Sequence, residues 1–344
     1  MKKILIIGPS WVGDMVMSQS LYRTLKEQNP DAIIDVLAPA WCKPILSRMP
    51  EVNQAIEMPL AHGEFKLAQR YKIGKSLRSN QYTHAYVLPN SAKSALIPFF
   101  ARIPQRIGWK GESRFGLLND IRLNKQSFTF MSERYVALAH PKQQMNNSSS
   151  LGGLSNILWP QLEIDKNQVL ETTTKFSLST ESKVIGLCPG AEFGPAKKWP
   201  TKHYAELATQ LLANGYNVWL FGSNKDAETT SEILQKQSLE YKNNIVDLAG
   251  KTSLEEAIDL LSVCQYVVSN DSGLMHVSAA VGCHVIGIYG STSPDYTPPL
   301  TNKLDIVNTD IECRPCFKRE CPLHHLKCLN EISPTSIVER IIND

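Results

Sequence analysis

Residues Lys2 to Leu25, KKILIIGPSWVGDMVMSQSLYRTL, constrain the fold more than any other stretch. Ile4-Leu5-Ile6-Ile7 is an unbroken apolar run of strand length, and from Met15 to Leu25 apolar residues recur at helical spacing. The turn Gly8-Pro9-Ser10-Trp11-Val12-Gly13-Asp14 joins them. A buried strand, a glycine turn and a helix in succession open a βαβ unit, which requires a parallel sheet. The turn has the Gly-x4-Gly spacing of a phosphate loop, but Asp14 stands where the phosphate-gripping lysine belongs.

The same scheme recurs along the chain. In the first half the pattern predicts strands near Ile4–Ile7, Ile33–Leu37 and His84–Val87, and helices over Met15–Gln28, Phe65–Ser79 and Lys93–Phe100. It stops at PKQQMNNSSSLGGLSNILWP, residues 141–160, a polar, proline-bounded excursion leading to a linker. It then restarts, with strands near Val184–Leu187, Val218–Phe221, Ile245–Asp247, Tyr266–Ser269 and Val285–Tyr289. The expected helices are His203–Asn214, Asp226–Gln237, Ser253–Cys264, Gly273–Val281 and a terminal Pro334–Ile342. At 344 residues the chain is long for one core. The expectation is an α/β protein of two Rossmann-like domains facing a central cleft, residues 1–165 and 166–330, with a C-terminal helix over 331–344. Neither half has a Gly-x-Gly-x-x-Gly fingerprint after its first strand, which argues against a nicotinamide or flavin cofactor.

Charge separates the halves. Residues 1–160 hold 20 Lys and Arg against 10 Asp and Glu, and the rest hold 16 against 23, giving +10 and −7 and a total of +3. A basic first half suits an anionic partner, while solvated surface charge is the plainer reading. No uncharged apolar run reaches the roughly 18 residues a membrane span needs, and ILII is too short for a secretory leader, so a cytoplasmic enzyme is expected. The eight cysteines are then expected to be reduced.

In parallel sheets, ligands collect outside the carboxyl ends of the strands, so four strand-to-helix loops are candidates for chemistry. In the first, Asp14 at the helix start can accept a proton from an attacking hydroxyl. An ordinary helix-capping aspartate has the same spacing. Trp11 is a sugar-facing platform or a packing residue. In the second, CPGAEFGPAKKWP, Lys197 and Lys198 follow a strand, where an ammonium can offset diphosphate charge that grows as a bond breaks. In the third, Asp226 is placed to accept from ribose hydroxyls or to cap its helix. The fourth, SNDSGLMH, brings Asp271, Ser272, Gly273 and His276 to a helix start, where backbone N–H groups at Ser272 and Gly273 can meet a phosphate.

Taken together, GPSWVGDMVMSQSLYRTL, LAPAWCKPILSRMPEV, YVLPNSAKSAL, PGAEFGPAKKWP and SNDSGLMHVSAA resemble the ADP-heptose–lipopolysaccharide heptosyltransferases of glycosyltransferase family 9, in order over most of residues 1–300. The resemblance implies a GT-B fold and an inverting single displacement from ADP-heptose to the first inner-core heptose on Kdo2-lipid A, at the inner membrane's cytoplasmic face and without nucleic acid. It also implies Asp14 as general base, Lys197 at the diphosphate, Asp226 at the ribose, and Asp271, Gly273 and His276 at the heptose and phosphate. Trp11, Gly13, Lys93, Arg106 and Arg114 are acceptor candidates, and the basic Lys66–Arg78 helix is a candidate for lipid headgroups. No Asp-x-Asp motif follows a strand, so transfer without a divalent ion or other cofactor is expected. A GT-B nucleotide-sugar epimerase and a non-catalytic lipopolysaccharide-binding protein are the alternatives. Cys313-x2-Cys316-x4-Cys321-x6-Cys328 has two readings, a structural metal site or packed reduced thiols.

Overall fold

A computed structural model describes residues 1–61 and 63–343. The chain divides into two compact units. The first is Met1–Leu162 with Asp295–Thr297, and the second is Glu163–Pro294 with the chain from Pro298 onward.

The first unit holds a six-stranded sheet: β1 (Lys3–Ile7), β2 (Ile33–Ala38), β3 (Gln54–Glu57), β4 (His84–Val87), β5 (Gln105–Trp109) and β6 (Asp120–Arg122). Its order is β3-β2-β1-β4-β5-β6, every pair parallel, with Ile7 opposite both Leu37 and Val87. The helices are α1 (Val12–Gln28), α2 (Lys43–Leu46), α3 (Leu67–Ser76), α4 (Ala92–Phe100) and α5 (Met131–Val136). Gly8 ends β1 where a Cβ would meet Met15 Cε at 2.9 Å and Val36 Cγ1 at 3.2 Å. Its glycine identity therefore reflects close packing of α1 on the sheet, without a phosphate in the argument. The polar excursion at 141–160 forms short 3₁₀ turns and ends against α1, where Gln19 exchanges hydrogen bonds with the Gln161 backbone at 2.7 and 2.9 Å. Tyr296 returns to this unit, accepting from the Met131 N–H at 3.0 Å and lying under the Arg134 guanidinium at 4.8 Å.

The second unit repeats the plan with β7 (Val184–Cys188), β8 (Asn217–Leu220), β9 (Ile245–Asp247), β10 (Tyr266–Asn270), β11 (His284–Ile288) and β12 (Leu304–Val307), in parallel order β12-β11-β10-β7-β8-β9. Counted from its own first strand, this is the first unit's topology again. The helices are α6 (Lys166–Lys175), α7 (Thr201–Ala213), α8 (Ala227–Gln235), α9 (Leu254–Leu261), α10 (Gly273–Ala280), α11 (Lys327–Asn330) and α12 (Pro334–Ile342). Ile337, Val338 and Ile341 of α12 enter the core formed by Leu207 and Leu211 of α7 and Ile286 of β11. Each unit thus has its own apolar core and its own switch point, between β1 and β4 and between β7 and β10, where strand order reverses.

The sequence pattern missed β3, β5, β6 and β12. β3 is half-exposed and flanked by Gln54 and Glu57, and β6 has three residues, two of them charged. Neither presents the apolar run that marks an interior strand.

Candidate active site

At the first unit's switch point, Asp14 lies in the first turn of α1, whose N-cap Trp11 is extended and supplies no side-chain cap. The free N–H groups and helix dipole there favour an ionised carboxylate. Tyr135, from α5 packed on α1, donates its phenolic O–H to Asp14 Oδ1 at 3.3 Å. Burial, reinforced by the neighbouring Asp14 charge, pushes the Tyr135 phenol well above its usual range, so it remains a donor at any physiological pH. Lys125 stands close by. Burial and the cations Arg134 and Arg114 pull its pKa down, while Asp14 opposes that shift. Neither Tyr135 nor Lys125 was singled out in the sequence. α5 is six residues long, with no glycine turn or motif before it to mark a site.

A cavity of about 380 Å³ opens at the carboxyl ends of β1, β2 and β4, lined by Gly8, Ser10, Trp41, Asn90, Lys93 and Glu112 among others. Lys93, one of the acceptor candidates, lines this cavity. Trp11, in the same β1–α1 turn, is 53% exposed, as suits a platform, whereas Gly13 is buried. Trp41, which the sequence reading passed over, is 52% exposed at this cavity, and its indole donates to the Ser10 carbonyl at 2.9 Å.

Two acceptor candidates are corrected by the structure. Arg114 is 2% exposed and donates to the carbonyls of Pro89 (2.6 Å) and Trp109, bracing the sheet from inside. Arg106 sits at the amino end of β5, opposite the ligand end. Its guanidinium donates to the carbonyls of Leu117 and Ile103, each at 2.6 Å. Both cations are consumed by backbone that would otherwise lack partners.

At the second unit's switch point the loop after β7 carries Lys197 and the loop after β10 carries Asp271. Their side chains form an ion pair at 2.5 Å, 14% and 6% exposed. Thr292 Oγ1 donates to the same Asp271 oxygen at 2.6 Å. Asn270 locks the two loops together, accepting from Trp199 N at 3.0 Å and donating to the Pro189 carbonyl at 2.7 Å. The Lys197 ammonium is therefore held in place before any ligand arrives. Next to it, α10 begins at Gly273 with Ser272 as an extended N-cap that makes no side-chain capping bond. The N-cap side chain thus leaves the first-turn N–H groups uncapped, the arrangement that receives phosphate. His276, one turn in, is 5% exposed, and burial pushes its pKa down to about 4, against the partial opposition of Asp271. It is a neutral imidazole at pH 7 and can donate one hydrogen bond without adding charge.

Asp226 folds back on its own turn. Its Oδ2 accepts from Ser223 N at 3.0 Å and Ser223 Oγ at 2.8 Å, while Oδ1 lies 3.6 Å from Lys198. A Cβ on Gly190 would come within 2.6 Å of this carboxylate, so glycine there lets the turn close. The chain around Cys313 to Cys328 packs beneath the Lys197 loop. The Ala196 N–H donates to the Arg319 carbonyl at 3.0 Å, and the Phe317 N–H to the Ser291 carbonyl at 2.7 Å. All eight cysteines are free thiols. Cys313, Cys316, Cys321 and Cys328 line one small cavity, and among the described residues no group of three or more His, Cys, Asp or Glu is arranged to hold a metal ion. The backbone N–H groups of Leu326, Leu323, His325 and His324 point at the half-buried Cys321 sulfur and lower its pKa.

Two doubly wound parallel sheets of one topology, with a carboxylate at the first switch point and a lysine beside an open helix start at the second, define a nucleotide-sugar glycosyltransferase of the GT-B class. The sequence model for glycosyltransferase family 9 (heptosyltransferase) matches residues 70–327. The chain is 52% identical to lipopolysaccharide heptosyltransferase 2 of Escherichia coli K12, over 98% of this chain and 97% of that one. It is 56% identical to lipooligosaccharide heptosyltransferase 2 of Haemophilus influenzae, over 88% of each. The solved structure of E. coli ADP-heptose lps heptosyltransferase II superposes with a TM-score of 0.90 at 50% identity, covering 100% of this chain and 98% of that one. The chain belongs to glycosyltransferase family 9 and is a heptosyltransferase.

Proposed function

We propose that the protein transfers L-glycero-D-manno-heptose from ADP-heptose to the first heptose of the lipopolysaccharide inner core on Kdo2-lipid A, with inversion, from the cytoplasmic side of the inner membrane. The names of its relatives in E. coli and H. influenzae support the sugar and the lipopolysaccharide acceptor. The observation that carries the reading is the division of labour between the switch points: a carboxylate held by Tyr135 at one, and a preset ammonium beside a helix start that its N-cap side chain leaves uncapped at the other.

In this reading the acceptor hydroxyl oxygen attacks the anomeric carbon and its proton passes to Asp14, which Tyr135 orients. The bond from the anomeric carbon to the β-phosphate oxygen breaks, and ADP leaves with the electron pair. Lys197 and the N–H groups at Ser272 and Gly273 meet the charge that develops on the departing diphosphate. His276 donates to the same group, Asp271 holds the lysine and contacts the heptose, and Asp226 accepts from the ribose. Lys93, Trp11 and the Gly13 turn contact the acceptor.

Replacing Asp14 by Asn tests the assignment. Turnover is expected to fall by about 10²-fold or more while ADP-heptose binding is kept, because the base acts only in the chemical step. Unchanged turnover would remove Asp14 from the role of base. Conversion of ADP-heptose into an epimeric ADP-sugar without any acceptor would favour an epimerase.

A further inference from the structure

Between Glu64 and Glu112 the sequence has no acidic residue, yet it has nine cations: Lys66, Arg70, Lys72, Lys75, Arg78, Lys93, Arg102, Arg106 and Lys110. The structure folds much of this stretch into one helical layer. α3 and α4 pack side by side, so closely that a Cβ on Gly74 would lie 2.5 Å from Phe100 Cβ. Their outer side carries aromatic rings in a connected row. Tyr71 meets Phe100 edge-on at 5.3 Å, Phe100 meets Phe99 at 5.7 Å, and the Arg106 guanidinium lies over Phe99 at 5.7 Å. Leu67, Tyr71 and Phe99 are 47%, 43% and 40% exposed. Along α3, Leu67, Tyr71 and Lys75 follow one another at four-residue spacing and so share a stripe, and Lys72 is exposed beside it. Arg70, Arg78 and Arg106 are taken up by backbone carbonyls and Lys66 pairs with Glu64, so Lys72 and Lys75 are the exposed cations of α3, and large rings left in water beside them suit an interface that is apolar below and anionic above.

We propose that the α3–α4 face docks on anionic phospholipid, with the rings at headgroup depth and Lys72 and Lys75 against the phosphates. Charge complementarity selects the occupant. A face that exposes Lys72 and Lys75, in a chain segment with no acid between Glu64 and Glu112, matches an anionic leaflet, and aromatic rings beside those lysines gain from the boundary of a bilayer. Location supports it too. Arg70 of α3 and Lys93 and Ser94 of α4 line the 380 Å³ cavity of the same unit, so the two helices that would meet lipid also wall the cavity assigned to the acceptor. The inference deepens the lipid-linked acceptor reading above and relies on it only for the purpose of docking. Lipid binding is measured with neither substrate present, so either can fail alone.

The test is co-sedimentation of the full chain with phosphatidylcholine vesicles, with and without phosphatidylglycerol. Binding is expected only where phosphatidylglycerol is present, and to weaken as salt rises. Lys72→Glu with Lys75→Glu should lower the partition coefficient about tenfold or more. Tyr71→Ser with Phe99→Ser should lower the part that survives salt. The same two-charge change at Lys166 and Lys242, exposed on the second unit, should leave binding as it was and so separates this face from net charge. Equal binding to both vesicle types, or wild-type binding by the lysine double variant, overturns the proposal. Retention on an immobilised acidic peptide without vesicle binding assigns the face to a protein partner and overturns it equally.

Discussion

Asp14 and His276 show how much a single side chain's setting decides. The role proposed for Asp14 rests on a helix start, a phenol and the nearby Lys125. Tyr135→Phe removes one directed hydrogen bond and leaves the packing, so kcat is expected to fall several-fold to about tenfold with KM for donor unchanged, read by steady-state kinetics. Lys197→Ala should weaken ADP-heptose binding and turnover together, measured by calorimetry and rate on the same preparation. Loss of the lysine also leaves Asp271 buried at 6% exposure without its ion-pair partner, so Asp271→Asn in the same chain should recover stability but not activity. For His276 the sign follows from its depressed pKa. The unfolded chain takes up the proton near pH 6.5 and the folded chain only near pH 4, so stability is full above 6.5 and is lost as pH falls between those values. By pH 5 this single group should account for about 2 kcal/mol. His276→Gln should therefore lose correspondingly less on moving from pH 7 to pH 5 in urea unfolding.

At the scale of elements, the parts that could be read in the sequence were those with a strong local period. β1, β2, β4 and the interior strands of the second sheet announce themselves as apolar runs, and α1, α7 and α10 as helical periods after a glycine or proline turn. The edge strands β3, β6 and β12 did not, because half-exposed residues alternate with charge there. The four candidate loops were legible because parallel topology sends every strand-to-helix loop to the ligand end. Side-chain direction was not. Nothing in the residues 106–114 says that two arginines will turn inward to carbonyls, and nothing near residue 292 says that Thr292 will hold Asp271. One element-level contact yields a stability prediction. Gly74→Ala would set a methyl 2.5 Å from Phe100 Cβ and 2.7 Å from the Ile97 carbonyl, so α3 must lift from α4 at a cost of about 1–3 kcal/mol in denaturant unfolding.

For the whole molecule, duplication of one topology explains the asymmetry of charge. Each unit can bury its own core and evolve its own ligand end. The basic first half and acidic second half of the sequence then describe two surfaces rather than one averaged protein. ADP should stabilise the chain through the second unit. At a hundredfold excess over its Kd, the expected gain is about 2.7 kcal/mol, absent in Lys197→Ala. The cysteine-bearing segment adds a last consequence. Its Arg319 carbonyl props the residue next to Lys197, while the thiol of half-buried Cys321 is held below its usual pKa by backbone N–H groups. Cys42, Cys188, Cys264 and Cys283 are buried, and their ionisation is suppressed. An electrophile such as iodoacetamide should therefore strike Cys321 before any of those four, and a bulky adduct there would jostle the Lys197 loop from behind, giving chemists a remote lever on the reaction.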